Sequence, residues 1–303
     1  MKALITGASG FLGKFLSQEL KSRKVQVTDL NSKNGNLKIQ GSLDYLPSNE
    51  FTHIFHLAAW TQAGDFCLKH PGEQWIINQQ MNTNLLYYWQ TMQPQAKLIS
   101  MGTSCSYDEN LSHSEENYLL GTPISSLYTY AMTKRMLHVG QMAISKQFNL
   151  KYLTVVPSTL YGPDYHNDGR QMHFIFDLMR KILRGKKYGE DVVLWGDGSQ
   201  KREVIFVEDF VRDLLSLEPI LENGIVNIGA GEEFTIKYFA ETISQIVGYD
   251  HAKIKYDTTK YVGAKSKCLK ISKLESLLGK LERVPLKSGL DKMYNWFEEN
   301  SAY

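Results

Sequence analysis

Lys2-Ala3-Leu4-Ile5-Thr6-Gly7-Ala8-Ser9-Gly10-Phe11-Leu12-Gly13 is the stretch that decides the fold. A short apolar run stops at glycines spaced three apart, and Phe11, Leu12, Phe15, Leu16 and Leu20 follow at intervals of three and four. This spacing predicts a strand, a tight turn and a helix. Val25 to Asp29 then alternates like a second strand. Strand, turn, helix and strand within about thirty residues is the order of a right-handed parallel crossover. The glycines permit the turn, let a pyrophosphate approach the backbone, and let the helix pack on the strand. The helix start adds free N–H groups and a positive dipole end. Gly7, Ser9, Gly10, Phe11, Leu12 and Gly13 are therefore the expected cradle of a dinucleotide. Asp29 stands where an acid accepts hydrogen bonds from a ribose 2′-hydroxyl and repels a 2′-phosphate, which favours NAD(H). Lys33, close by in sequence, works against that preference.

The theme recurs downstream. His53 to Ala58, Lys97 to Met101 and Lys151 to Val156 read as strands, and Gln74 to Met92 and Tyr128 to Phe148 as long helices. Such alternation predicts an α/β fold with a doubly wound parallel sheet of the Rossmann type. After Tyr161-Gly162-Pro163 the pattern changes to a polar loop (164–170), a helix near Met172 to Leu183, a short segment ending at Trp195, and Gly196-Asp197-Gly198. Ile225 to Ile228 reads as one more core strand, followed by a helix (Ile236 to Val247), a basic loop (Lys260 to Lys267) and a final amphipathic helix. The expected organisation is a dinucleotide-binding domain of residues 1–163 plus about 204–230. A smaller C-terminal α/β substrate lobe of 164–203 and 231–303 closes over it.

Composition narrows the class. The 303 residues suffice for one large or two modest domains, and 34 basic against 32 acidic residues leave a net charge of +2. No basic stripe suggests nucleic acid, and no apolar run approaches the roughly 18 residues of a membrane span. Cys67, Cys105 and Cys268 are odd in number and widely spaced, which suggests neither zinc nor a disulfide framework. No metal site is expected. Without a signal-like start, the reading is a soluble cytoplasmic protein.

Tyr130-Ala131-Met132-Thr133-Lys134 puts Tyr130 and Lys134 on one face of the predicted helix. An ammonium there would lower the tyrosine pKa, so that the phenol exchanges a proton with a sugar oxygen at neutral pH. Gly102-Thr103-Ser104-Cys105-Ser106-Tyr107, after a core strand, supplies hydroxyl partners. Together with the glycine loop, Leu57-Ala58-Ala59, Asn78 and Leu160-Tyr161-Gly162-Pro163, these residues resemble the extended short-chain dehydrogenase/reductases, the NAD-dependent epimerase/dehydratase family. The resemblance implies NAD(P)(H) as cofactor and assigns the catalytic hydroxyl to Thr103, four before Tyr107, without excluding Ser104. It also implies cofactor contacts from Leu57, Ala58, Ala59, Asn78, Tyr130, Lys134 and Pro157.

Within that family the chain resembles the GDP-L-fucose synthase branch along its whole length. Thr103 to Tyr107, His173 with Arg180 following, and Trp195-Gly196-Asp197-Gly198 through Arg202-Glu203 carry the likeness. It implies that Cys105 and His173 are the acid/base pair that epimerises a sugar beside its 4-keto group. A thiol and an imidazole can both work near neutral pH. Arg202 and Lys267 match cations that hold the nucleotide phosphates, with Arg180, Ser104 and Trp195 as further substrate contacts. The implied partner is a GDP-linked 4-keto-6-deoxy sugar, hexose or heptose. Long-helix packing between two copies implies a homodimer. The chain departs from the branch at Thr159, at Ser266, in the loop Trp60 to Asp65, and at Asp29, since that branch uses NADPH. A plain 4-ketoreductase and a redox-neutral NAD-dependent 4-epimerase therefore stay open. A non-catalytic scaffold that senses cofactor is disfavoured by the intact Thr103, Tyr130 and Lys134.

Overall fold

In the computed structural model, residues 1–260, 262 and 264–303 are described; 261 and 263, within the basic loop, lie outside the described residues. The strands in chain order are β1 Lys2–Thr6, β2 Gln26–Leu30, β3 His53–His56, β4 Lys97–Met101, β5 Tyr152–Pro157, β6 Thr159–Tyr161, β7 Val193–Trp195, β8 Lys201–Arg202, β9 Val204–Phe206, β10 Gly224–Ile228, β11 Phe234–Thr235 and β12 Lys255–Asp257. The α-helices are α1 Phe11–Ser22, α2 Phe66–Lys69, α3 Pro71–Met92, α4 Tyr128–Phe148, α5 Phe174–Tyr188, α6 Val207–Leu217, α7 Ile236–Val247, α8 Ser272–Leu278 and α9 Leu286–Glu299.

Six strands form the central sheet in the order β10-β5-β4-β3-β1-β2, and every neighbouring pair is parallel. The strands are short and nearly all apolar because helices cover both faces. β4 is buried throughout and β5 in all but its last residue. On one face α1 and α6 lay Leu16, Leu20, Phe210 and Leu214 against Ile5, Phe55 and Ile99. On the other, Leu85 and Trp89 of α3 and Leu137 of α4 pack on Leu4, Ile54 and Leu98. A separate apolar cluster joins Ile175, Phe176, Phe239, Ile243, Leu290 and Phe297 from α5, α7 and α9.

The strand order reverses between β1, which leads outward to β2, and β3, which leads the other way. In such sheets ligands bind outside the carboxyl ends of the strands at this switch point. The glycine loop follows β1 and Leu57-Ala58-Ala59 follows β3, so the expected cradle lies there.

Elements differ from the sequence reading at several edges. β2 runs one residue later than expected, α3 begins at Pro71 and α5 continues to Tyr188. Proline suits the first helical position because its missing N–H has no partner there anyway. The short helices α2 and α8, and α6 as a whole, are additions to the sequence reading.

Candidate active site

Gly7 has φ +72°, and a Cβ built on it would lie 2.8 Å from the Ala58 nitrogen. Only glycine lets β1's exit turn lie flat against β3's exit. Gly13 is as tightly fixed: a Cβ there would meet the Gly7 carbonyl oxygen at 2.3 Å. Ser9 and Gly10 are exposed, no side chain caps α1, and its first turn carries no acid. The helix start is thus an open, positive set of N–H donors, the arrangement that fits a pyrophosphate. Leu57, Ala58 and Ala59, all half-buried, and Pro157, the last residue of β5, line the same edge of the sheet.

Two cofactor expectations are modified. Asp29 lies on β2 opposite Ile5, and its Oδ2 accepts from Ser17 Oγ at 2.9 Å and from Lys21 Nζ. Its other oxygen is buried without a partner. Lys21 offsets the charge that would repel a 2′-phosphate, so Asp29 alone does not decide for NAD(H). Asn78 is buried and spends its amide on the chain itself: Nδ2 donates to the Trp60 and Gln74 carbonyls, and Oδ1 accepts from Trp60 N–H. It shapes the loop after β3 instead of offering a free amide to the cofactor.

The residues expected to react meet beyond the carboxyl end of β4. Thr103 is buried, and its hydroxyl accepts the Cys105 N–H at 3.3 Å, so one 3₁₀ turn (Ser104–Ser106) fixes both side chains. Tyr130 and Lys134 share a face of α4, with the Lys134 ammonium 5.9 Å from the Tyr130 ring centre. The expected depression of the tyrosine pKa is overturned. Burial, with the nearby Cys105 and Cys67 thiols, pushes Tyr130 well above its usual value. Burial also lowers Lys134 to about 8, and its charge bears on buried His56. The desolvated lysine is a weak counter-charge at this distance.

Cys105 differs from an ordinary half-buried thiol. Burial works to raise its pKa, but the charge and hydrogen bond of Lys267, with Thr103 and Arg202, outweigh it and bring it below the usual value. His173 begins α5 as its N-cap. Its surface reaches solvent, yet the surrounding protein, then Lys267 and His166, lower it to about 4. The charge of Lys267 bears on both Cys105 and His173.

Three expected phosphate or substrate contacts stand differently. Lys267 donates to Cys105 Sγ at 2.8 Å. The Arg202 guanidinium donates to the carbonyls of Lys201 and Ala264, both at 2.7 Å, and of Val262 at 3.1 Å. Arg180 pairs with Asp177 at 2.6 Å, one turn back on α5. Trp195 ends β7 with 57% of its surface exposed, which argues against a core role and leaves its face open to stacking. Ser104 is half-buried beside Cys105.

Cys67 escaped the sequence reading. It is buried in α2, takes a hydrogen bond from Gln74 Nε2 at 3.3 Å, and adds to the field on Tyr130. Nothing in the spacing of Cys67 marks it, because α2 is a single turn. The loop bearing it is tied to the segment before α5: Asp65 N–H donates to Gln171 Oε1 at 3.1 Å, and Gln171 Nε2 donates to Asp65 Oδ1 at 3.0 Å. Among the described residues no cluster fit to hold a metal occurs, and no helix is long and apolar enough to cross a membrane.

The profile of the NAD dependent epimerase/dehydratase family matches residues 3–229. GDP-L-colitose synthase of Yersinia pseudotuberculosis is 28% identical over 306 residues, covering 98% of each chain. GDP-L-fucose synthase 1 of Arabidopsis thaliana is 32% identical over 239 residues, covering 76% of this chain and 72% of its own. Among solved structures, a GDP-L-fucose synthetase from Naegleria fowleri bound to NADP superposes with a TM-score of 0.86 at 25% identity, covering 99% of this chain and 93% of that one.

Proposed function

Because the chain belongs to the NAD-dependent epimerase/dehydratase family, we propose that it reduces the 4-keto group of a GDP-linked 4-keto-6-deoxy sugar and inverts an adjacent carbon. It is an NAD(P)H-dependent enzyme of nucleotide-sugar chemistry. What supports the reading is the placing of Thr103 and Cys105 in one turn after β4, with α4, which carries Tyr130, packed against that turn. The colitose and fucose synthases among its relatives supply the GDP-sugar class.

The residues divide the work. Cys105 removes a proton from the carbon beside the carbonyl, and His173, neutral at neutral pH, returns one from the opposite face after first taking up a proton itself. Thr103 and Tyr130 hydrogen-bond the oxygen on which charge develops. A bound nicotinamide supplies the hydride. Tyr130 gives the oxygen its proton, and its raised pKa keeps the phenol loaded for reduction. Gly7 to Gly13 hold the pyrophosphate, Lys134 the nicotinamide ribose, and Trp195 stacks on the guanine or pyrophosphate end.

In this reading residues 1–163 with about 204–230 bind the dinucleotide, and 164–203 with 231–303 bind the sugar nucleotide. The chain works in the cytoplasm as a homodimer. Trp75, Ile76 and Tyr87 on α3 and Tyr128, Met136, Val139 and Met142 on α4 are exposed apolar side chains on neighbouring helices, which a second copy would cover. Sedimentation at micromolar concentration should give a dimer; a monomer removes that part of the reading.

The test follows nicotinamide absorbance with GDP-4-keto-6-deoxy-mannose and NADH or NADPH in deuterated water, with products identified by NMR. Coenzyme oxidation with deuterium at C3 or C5 is expected. Oxidation without deuterium leaves a plain 4-ketoreductase, and no oxidation refutes the substrate assignment.

A further inference from the structure

Lys267 and Cys105 are 162 positions apart, and the fold brings Nζ to 2.8 Å from Sγ. The contact is built. Around Lys267, Glu233 accepts from the Lys267 N–H at 3.2 Å and from Ser266 Oγ at 2.8 and 2.9 Å. Lys201 N–H donates to the Lys265 carbonyl at 2.8 Å, and Arg202 holds the carbonyls of Val262 and Ala264. Buried Glu203 takes the N–H groups of Gly231 and Leu269, both at 2.8 Å. The segment is thus strapped on both sides of the lysine. At the other end, the Thr103 hydroxyl fixes the backbone of Cys105.

The groups facing Cys105 are Lys267 from this segment, Arg202 from β8, Tyr130 from α4, Tyr118 before α4, and Cys67 from α2. Two are cations. Cys268, the next residue after Lys267, is the contrast: burial and the charges of Glu203 and Glu233 push it up to about 12. One segment therefore gives two half-buried thiols opposite electrostatic surroundings.

We propose that Lys267 is the counter-ion of Cys105, so that the sulfur enters the reaction as a thiolate with its proton already lost to solvent. This rests on the reading of Cys105 as the epimerising base. The thiolate takes the proton from the carbon beside the carbonyl, the C–H electron pair moves to the carbonyl oxygen as an enolate, and Cys105 is left as a thiol. Lys267 acts through Cys105 and is a positioning residue. A lysine that served only to hold the diphosphate would change KM and leave the sulfur's proton affinity alone.

The experiment measures the rate of Cys105 alkylation by iodoacetamide against pH, read by mass spectrometry of the Cys105 peptide, with Cys268 as internal reference. Wild type, Lys267→Met and Lys267→Arg are compared without substrate. An unperturbed thiol has its midpoint at about 8.5, and wild-type Cys105 should fall below it. Lys267→Met should raise the midpoint by about one pH unit, roughly a tenfold slower reaction at neutral pH, and Lys267→Arg should restore most of it. An unchanged midpoint in Lys267→Met overturns the proposal. Should that variant not fold, the ultraviolet absorbance of the thiolate in wild type minus Cys105→Ser gives the midpoint directly, and a value at or above that of a free thiol overturns it too. Alkylation needs no turnover, so its outcome is independent of which sugar the enzyme accepts.

Discussion

Replacing Glu203 by glutamine should change how stability depends on pH. Glu203 is 2% exposed, and burial outweighs the backbone N–H groups of Leu269, Gly231 and Ala230, raising its pKa from 4.5 to about 7. Below pH 4.5 the carboxyl is neutral in both folded and unfolded chains. As pH rises the unfolded chain releases the proton first, while the folded chain keeps it until about pH 7. The folded state then binds more protons, so stability must fall across this window. The separation of about 2.5 pH units at about 1.36 kcal/mol each comes to about 3 kcal/mol. For 303 residues at about 2.1 cal/mol/K each, that is about 5 °C in Tm. Thermal unfolding of wild type and Glu203→Gln at pH 5, 6, 7 and 8 isolates the effect, because glutamine does not titrate. The Tm of wild type minus that of the variant should decline by about 4 °C from pH 5 to pH 8, the rest of the effect lying below pH 5. Parallel curves, or a wild type that gains with pH, would refute the reasoning. The three N–H donors would then have won over burial, leaving Glu203 ionised.

Tyr130→Phe should lower kcat by about 10²- to 10⁴-fold while coenzyme affinity, followed by fluorescence titration, stays within about twofold. Gly13→Ala should destabilise by about 1–3 kcal/mol in urea and weaken coenzyme binding, since its methyl would meet the Gly7 oxygen at 2.3 Å and Ala8 Cα at 2.7 Å, both backbone atoms. Retained affinity would mean that the loop is not the pyrophosphate cradle. Gln171→Ala removes both hydrogen bonds to Asp65 across the cleft; it should raise KM for the sugar nucleotide more than it lowers the affinity for coenzyme. Equal effects on both would contradict a role confined to the substrate side.

How far the sequence was legible varied with the range of the forces involved. β4 at Lys97–Met101, α4 at Tyr128–Phe148 and α7 at Ile236–Val247 match their expected bounds, because each has a clear period and a buried face. α6 was hidden. Val204 to Val207 reads as one apolar run, although β9 ends at Phe206 and a helix begins at once with Glu208 and Asp209 in its first turn. In the site, Tyr130 and Lys134 were legible because helical geometry fixes their spacing, whereas the core strand before Thr103 left several hydroxyls open and the resemblance alone singled out Thr103. The charge state of Tyr130 was not legible, since it depends on the burial and thiols that the fold supplies. Neither was the pairing of Lys267 with Cys105, which depends on contacts to Glu203 and Glu233 that no local pattern encodes.

Phe11, the first residue of α1, touches Tyr165 edge-on at 5.2 Å and Phe176 at 5.7 Å, while Tyr165 and Phe176 stack at 3.7 Å. The helix that opens on the glycine loop is thereby glued to the first turn of α5 at Phe176, three residues beyond His173. The two halves consequently share one cooperative unit at this seam. Stiffening of the glycine loop should also slow amide exchange at the foot of α5. Hydrogen exchange with coenzyme alone should therefore register protection on the sugar side of the molecule before any sugar is present.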